Sequence, residues 1–278
     1  MLKGPKLYMK PIILTLRRVF SRTAAILFTV LVSLGLLAGR AAAQPGSDPC
    51  RPVQYADSSF VVCTADLREY EVRLFWRGPD GEVLGSFDRL KETPEGSRLA
   101  VAMNAGMYHE DRSPVGLYVE NGKELKAANT RNGPGNFHLK PNGIFYVNGR
   151  QAGVLETGAY QKRKIKPDFA TQSGPNFATQ SGPMLVINGQ IHPQFSEQST
   201  SRKIRNGVGV KGQDTVVFAI SEDPVTFSTF ARLFRDEIGC ANALFLDGSV
   251  SSLYAPSLER MDSLMPMGPI VGALRRRP

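Results

Sequence analysis

The sequence predicts an α+β fold, with a hairpin-rich mixed β-sheet core and a few covering helices in a single domain. Three observations predict it. Short runs of Val, Leu, Ile, Phe and Tyr recur between Gly, Pro and Asp, as half-buried strands do. Three of these runs end on Asn-Gly, the pair that best tolerates the positive φ angles of a tight hairpin turn. Near the C-terminal end, one strand–helix–strand step breaks the hairpin pattern.

The chain opens on residues 1–43, which carry Lys3, Lys6, Lys10, Arg17, Arg18, Arg22 and Arg40 and no acid. A basic segment, an uncharged run over residues 24–38 and then Ala41-Ala42-Ala43 have the layout of an export signal cleaved before Gln44. The apolar run is shorter than the roughly 20 residues a membrane-spanning helix needs. The sequence therefore divides into a signal peptide, 1–43, and one domain, 44–278, with a periplasmic or secreted location expected. Seven of the 34 basic residues fall in the signal, leaving 27 against 25 acids. The net charge of +9 thus describes the export segment and a basic tail at 275–278 more than the folded body. A near-neutral body offers no broad basic face, so nucleic acid is not an expected partner, and the membrane is met only through the signal.

Strand-like runs occupy residues 59–63, 70–76 and 99–103. Hairpins are predicted at Asn121-Gly122, Asn148-Gly149 and Asn188-Gly189. Residues 215–220 form the next strand. Phe227, Phe230, Ala231, Phe234 and Ile238 then follow helical spacing, with Thr226 or Ser228 to cap the start and Gly239 to end the helix. Its Phe stripe reads as core packing. Residues 243–246 are a short apolar strand directly after this helix. Cys50 and Cys63 flank a Pro-containing lead-in, where a bridge would tie the start of the domain to the first strand; pairings with Cys240 stay open.

The heptapeptide Phe-Ala-Thr-Gln-Ser-Gly-Pro occurs twice, at 169–175 and 177–183. Only the second copy leads straight into a strand, so residues 168–175 read as a duplicated surface-loop insertion.

Four places carry residues suited to chemistry. Asp247-Gly248-Ser249 ends the strand at 243–246 and delivers a carboxylate to a sheet rim, or is simply a tight turn. Asn104-Ala105-Gly106-Met107-Tyr108 follows another strand in the same way; Asn104 suits a sugar hydroxyl and Gly106 permits close approach. Gln180-Ser181-Gly182-Pro183 precedes a strand, with a polar loop as the plain alternative. Arg202, Lys203 and Arg205 lead into Asn206-Gly207-Val208-Gly209, where a guanidinium beside flexible backbone suits a phosphate or carboxylate.

Other classes lose support. His109, His138 and His192 are widely spaced and match no Cys/His ligand pattern, so no metal is expected. Phosphate-binding Gly-Lys-Ser/Thr loops, dinucleotide fingerprints and a Gly-x-Ser-x-Gly elbow are absent, and no cofactor is expected.

Taken in order, Asn104-Ala105-Gly106-Met107-Tyr108, Ser181-Gly182-Pro183, Arg205 with Gly209, and Leu246-Asp247-Gly248-Ser249-Val250-Ser251 resemble the phosphodiester glycosidase family over residues 99–256. The chain departs from the family pattern at Ala105, where a second Gly is common, and at Ser249-Val250, where a Gly pair is common. The resemblance implies hydrolysis of a sugar-1-phosphodiester at the anomeric carbon. It also implies that Arg205 holds the phosphodiester, that Asp247 acts as nucleophile, base or cation stabiliser, and that Asn104 and Ser181 orient hydroxyls or an acetamido group. Gly106, Gly182 and the stretch from Gly248 to Ser251 would leave room for the sugar. Asp111 and Glu222 are the candidates for a second carboxylate. The competing class is a noncatalytic envelope protein that binds phosphorylated glycans through the same residues.

Overall fold

The computed structural model describes residues 1, 4, 48–163, 176–263 and 265–277. Apart from residues 1 and 4, the expected signal peptide lies outside the described residues, as does the expected insertion at 168–175. Strand makes up 42% of the structure and helix 16%, in three sheets. The first sheet runs, in spatial order, β1 (Cys50–Tyr55), β2 (Ser58–Asp66), β13 (Thr215–Ser221), β12 (Asn206–Lys211), β14 (Asn242–Phe245), β10 (Met184–Ile187) and β11 (Gln190–Ile191). The second runs β16 (Arg260–Met261), β15 (Leu253–Ala255), β4 (Leu99–Asn104), β17 (Ile270–Arg275) and β3 (Tyr70–Phe75). The third runs β6 (Lys123–Lys126), β5 (Tyr118–Glu120), β9 (Phe177–Ser181), β7 (Gly143–Asn148) and β8 (Gln151–Glu156).

A mixed sheet was expected, but every strand pairing among the described residues is antiparallel. The reason lies in the one strand–helix–strand step. Both β13 and β14 pair antiparallel with β12, which stands between them, so the crossover joins two like-directed strands without making them neighbours.

The turn chemistry explains the hairpins. Asn121 and Gly122 adopt φ of 51° and 76°, and Asn188 and Gly189 adopt 48° and 79°, as a type I′ turn requires. The middle hairpin forms one residue later than read: Asn148 pairs with Gln151, leaving Gly149 at φ 60° and Arg150 as the loop. Gly at the first loop position with positive φ is the type II′ solution to the same geometric demand.

The helix α1 (Phe227–Arg232) starts at Thr226, whose side chain accepts from the Thr229 N–H, and continues as a wider π-helical turn over Leu233–Ile238. Gly239 ends it at φ 82°. Phe230 and Phe234 are fully buried on this helix and pack with Phe60, Leu185 and Phe245 from the first sheet. Each such ring contributes about 1.5–3 kcal/mol of burial free energy. The opposite face of that sheet joins the other two in the main core, which includes Phe218, Leu244, Val101, Val72 and Phe145. Cys50 and Cys63 face one another across β1 and β2 and form a disulfide, while Cys240 is buried as a free thiol.

Candidate active site

The site is assembled where β4 and β14 end and β12 begins. Strand β4 is buried at all six positions, which carries Asn104 into the interior with its amide fully enclosed. A buried amide must find partners, and Asn104 finds them on two distant segments. Its Nδ2 donates to the Asp247 carbonyl at 2.7 Å, and its Oδ1 accepts from Asn206 Nδ2 at 2.8 Å and from the Ser252 N–H at 2.9 Å. The Asp247 N–H in turn donates to the Ala105 carbonyl at 3.1 Å. Ser251 Oγ, 3.2 Å from Asn206 Oδ1, closes the network. Asn104, expected on a sugar hydroxyl, is thus committed to the Asp247 loop; at most one N–H of its amide is left over.

Asp247 is both of the things its sequence allowed. Its Oδ1 accepts the Ser249 N–H at 3.0 Å, capping a short helical turn over Gly248–Val250, and its side chain is a buried acid at 8% exposure. Burial pushes its pKa up from the usual aspartate value, partly offset by the hydrogen bonds from Ser249. The phenol of Tyr108 feels this charge, since its own pKa is raised by burial and then by Asp247.

Arg205 comes just before β12, the strand that neighbours β14. Gly207 pairs with Phe245, and the Leu246 N–H still donates to the Asn206 carbonyl at 3.0 Å, after which the Asp247 N–H turns to Ala105 and no hydrogen bond or ion pair joins Asp247 to Arg205 among the described residues. Arg205 is 2% exposed. Its Nε donates to the Val225 carbonyl at 2.8 Å and its Nη2 to the Ser201 carbonyl at 3.1 Å; among the described residues Nη1 donates to nothing. The charge lies over the Phe227 ring, 3.6 Å from its centre. Burial lowers its pKa to about 10, which still leaves it a cation at neutral pH. Phe227 stacks on Phe195 at 4.9 Å, and Phe195 on the buried His192 at 4.6 Å. Phe227, read as core packing, therefore also carries the cation; Phe195 and His192 were not read as part of a site, although an aromatic pair in a Gln- and Ser-rich loop is the signal that points to one.

The first five residues of the second heptapeptide copy form β9, all buried, so the polar-loop alternative does not hold for Gln180 and Ser181. Polar residues are tolerated there because Gln180 is saturated. Its Oε1 accepts from the Leu117 and Asn129 N–H groups, and its Nε2 donates to the Asn129 carbonyl and Thr157 Oγ1. Ser181 Oγ is buried with no protein partner among the described residues. The glycines expected to make room for a ligand instead make room for protein. A Cβ on Gly106 would stand 2.4 Å from the Gln180 carbonyl, and one on Gly182 would stand 2.7 Å from the Asn142 side chain. At Gly248 it would strike the Phe245 ring at 2.4 Å.

Beside the Asp247 turn opens a cavity of about 300 Å³ lined by Gly248, Ser249, Ser251, Glu222, Arg260 and Asp262, among others. Gly248, Ser251 and Glu222 were read from the sequence; Arg260 was not. Asp111 is occupied elsewhere, accepting from the N–H and hydroxyl of Ser113 in an exposed turn with His109.

A profile of the phosphodiester glycosidase family matches residues 97–264, the segment that carries every residue just described except the N-terminal strands. The chain belongs to the phosphodiester glycosidase family. It is similar to an uncharacterized Escherichia coli protein, YigE, at 34% identity over 229 residues, covering 82% of this chain and 84% of that protein. Among solved structures, it resembles the catalytic domain of zebrafish N-acetylglucosamine-1-phosphodiester alpha-N-acetylglucosaminidase, auto-inhibited by its pro-peptide. That likeness has a TM-score of 0.52 at 15% identity and covers 82% of each chain, and it establishes a shared fold. A hypothetical protein from Synechocystis is similar at a TM-score of 0.48 and 15% identity, over 82% of this chain and 61% of that one.

Proposed function

We propose that this phosphodiester glycosidase is exported and hydrolyses a sugar-1-phosphodiester at the anomeric carbon. In this reaction the bond from the anomeric carbon to the phosphate oxygen breaks and its electron pair stays on that oxygen. Water adds hydroxide to the anomeric carbon, and the remaining proton goes to the phosphomonoester or to solvent. The products are a free sugar and a phosphomonoester. The observation that supports the reading is the buried Asp247 carboxyl held by the Asn104 network just past the end of β14, with the buried cation Arg205 just before β12, the neighbouring strand.

Each group suits one part of that chemistry. A carboxylate poorly solvated by its site is a stronger base and a closer partner for a developing oxocarbenium centre. Arg205 is preorganised by two carbonyls and an aromatic face, so a charge on the departing phosphate would meet a cation that need not reorganise. Asn104 serves by fixing the Asp247 main chain. The phosphate leaves more readily than an alkoxide, so the reaction needs less help from a general acid.

Incubation of the purified protein with a panel of sugar-1-phosphodiesters tests the proposal. Reducing sugar should appear with at least one member and vanish with Asp247→Asn. Saturable binding of every member without release of sugar would replace the enzyme by a binding protein.

A further inference from the structure

The cavity beside the Asp247 turn differs in charge from the Arg205 side of the site, and this difference assigns it a ligand. Arg260 looks at first like a second anion-binding group. Its Nε and Nη2 contact Asp262, with Nη2 at 2.9 Å from Oδ2, and its Nη1 pairs with Glu222. One guanidinium shared by two carboxylates leaves the cluster one negative charge in excess. A phosphate placed there would meet repulsion. Hydroxyl groups would not, because paired carboxylates keep free lone pairs that accept from them, and Ser249 and Ser251 line the same wall. Ile204, Val250 and Met265 supply an apolar surface for a C–H face. The volume of about 300 Å³ falls at the small end of ligand pockets.

We propose that this cavity is a neutral-sugar subsite in which Glu222, Arg260 and Asp262 read hydroxyl positions, leaving the phosphate to the Arg205 side. The proposal rests on the glycosidase reading for its connection to catalysis. Its physical link to the acid is explicit: Ser251 in the cavity wall contacts Asn206, Asn206 contacts Asn104, and Asn104 holds Asp247. Glu222 is thereby a specificity-determining residue rather than the second catalytic carboxylate.

The test is ligand-observed NMR with a panel of free neutral monosaccharides and, separately, inorganic phosphate, on the full-length Asp247→Asn protein and on Asp247→Asn with Glu222→Gln, Arg260→Met or Met265→Trp. The last change narrows the exposed rim without touching the ion cluster, which keeps the test open if Arg260→Met does not fold. At least one sugar should bind saturably, each added substitution should weaken it about tenfold or more, and phosphate binding should not change. Absence of saturable sugar binding, sugar binding indifferent to all three substitutions, or phosphate binding lost with Arg260→Met would overturn the subsite. The turnover panel separates this from the function: sugar binding at this cavity without turnover of any diester would sink the hydrolase reading alone. Turnover whose KM and sugar preference ignore Glu222→Gln would sink the subsite alone.

Discussion

Asn104 donates a 2.7 Å hydrogen bond from its side-chain amide to the main-chain carbonyl of Asp247, 143 residues away. The bond makes the end of one sheet responsible for the position of an acid at the end of another. Asn104→Ala should therefore cost both stability and turnover. It leaves the Ser252 N–H and the Asp247 carbonyl without the Asn104 side chain in a buried place, at about 1–3 kcal/mol for each group, while the Asn206 amide keeps the main-chain carbonyl of residue 104 at 3.3 Å. Urea unfolding should show a loss of at least about 2 kcal/mol on that basis. An unchanged midpoint would mean that the amide network is not what holds the loop.

Asp247→Asn separates function from stability. Asparagine keeps an oxygen for the Ser249 N–H but cannot carry charge, so turnover should fall about 10²–10⁴-fold. The folded protein raises the pKa of Asp247. Its native state therefore holds the proton more tightly than the unfolded chain, and that contribution is complete at low pH and lost as pH rises through the folded value. The substitution should raise Tm at neutral pH, with the gain shrinking toward zero in acid. Thermal melts of both proteins across that range check the sign; a gain that grew in acid would contradict it.

Much of the fold was legible in the sequence, and the exceptions have physical causes. Asn121-Gly122 and Asn188-Gly189 announced their turns because only a few residues accept the φ they adopt. Thr226 and Gly239 marked both ends of one helix for similar local reasons. What stayed hidden depends on neighbours distant in sequence. Gln180 looked like a loop residue because its four hydrogen bonds come from Leu117, Asn129 and Thr157. Asn206 passed as part of a flexible Gly-rich run, although it bridges Asn104 and Ser251. Gly106 and Gly248 were read as space for a ligand, a reading that local sequence cannot tell from space for another strand or ring.

The seat of Arg205 predicts a graded response. Arg205→Lys keeps the charge but not the planar fork that serves two carbonyls at once, and kcat/KM should drop about 10²–10³-fold. Phe227→Leu keeps the apolar volume and the Thr226 cap but removes the ring under the cation, for a fall of about tenfold. Steady-state kinetics on both variants, with circular dichroism as the folding control, would show no loss for Phe227→Leu if the ring mattered only for packing.

The cysteines give an independent check. The Cys50–Cys63 bridge closes a short segment, with a sequence separation of 13, and its reduction should cost about 3 kcal/mol in the chain-entropy view. Cys240 should not react with a thiol reagent in the native protein, because burial raises its pKa to about 12. Thiol titration before and after denaturation should count none and then one. Rapid native labelling would show the Cys240 pocket to be open.

The position of bond cleavage tests the proposed chemistry most directly. Hydrolysis of an active sugar-1-phosphodiester in water enriched in oxygen-18, followed by mass analysis of both products, reports which atom the water attacks. The label should appear in the anomeric hydroxyl of the released sugar and not in the phosphomonoester. Label in the phosphate would mean attack at phosphorus, and Asp247 could then not be the partner of an oxocarbenium centre, nor Arg205 the stabiliser of a departing phosphate.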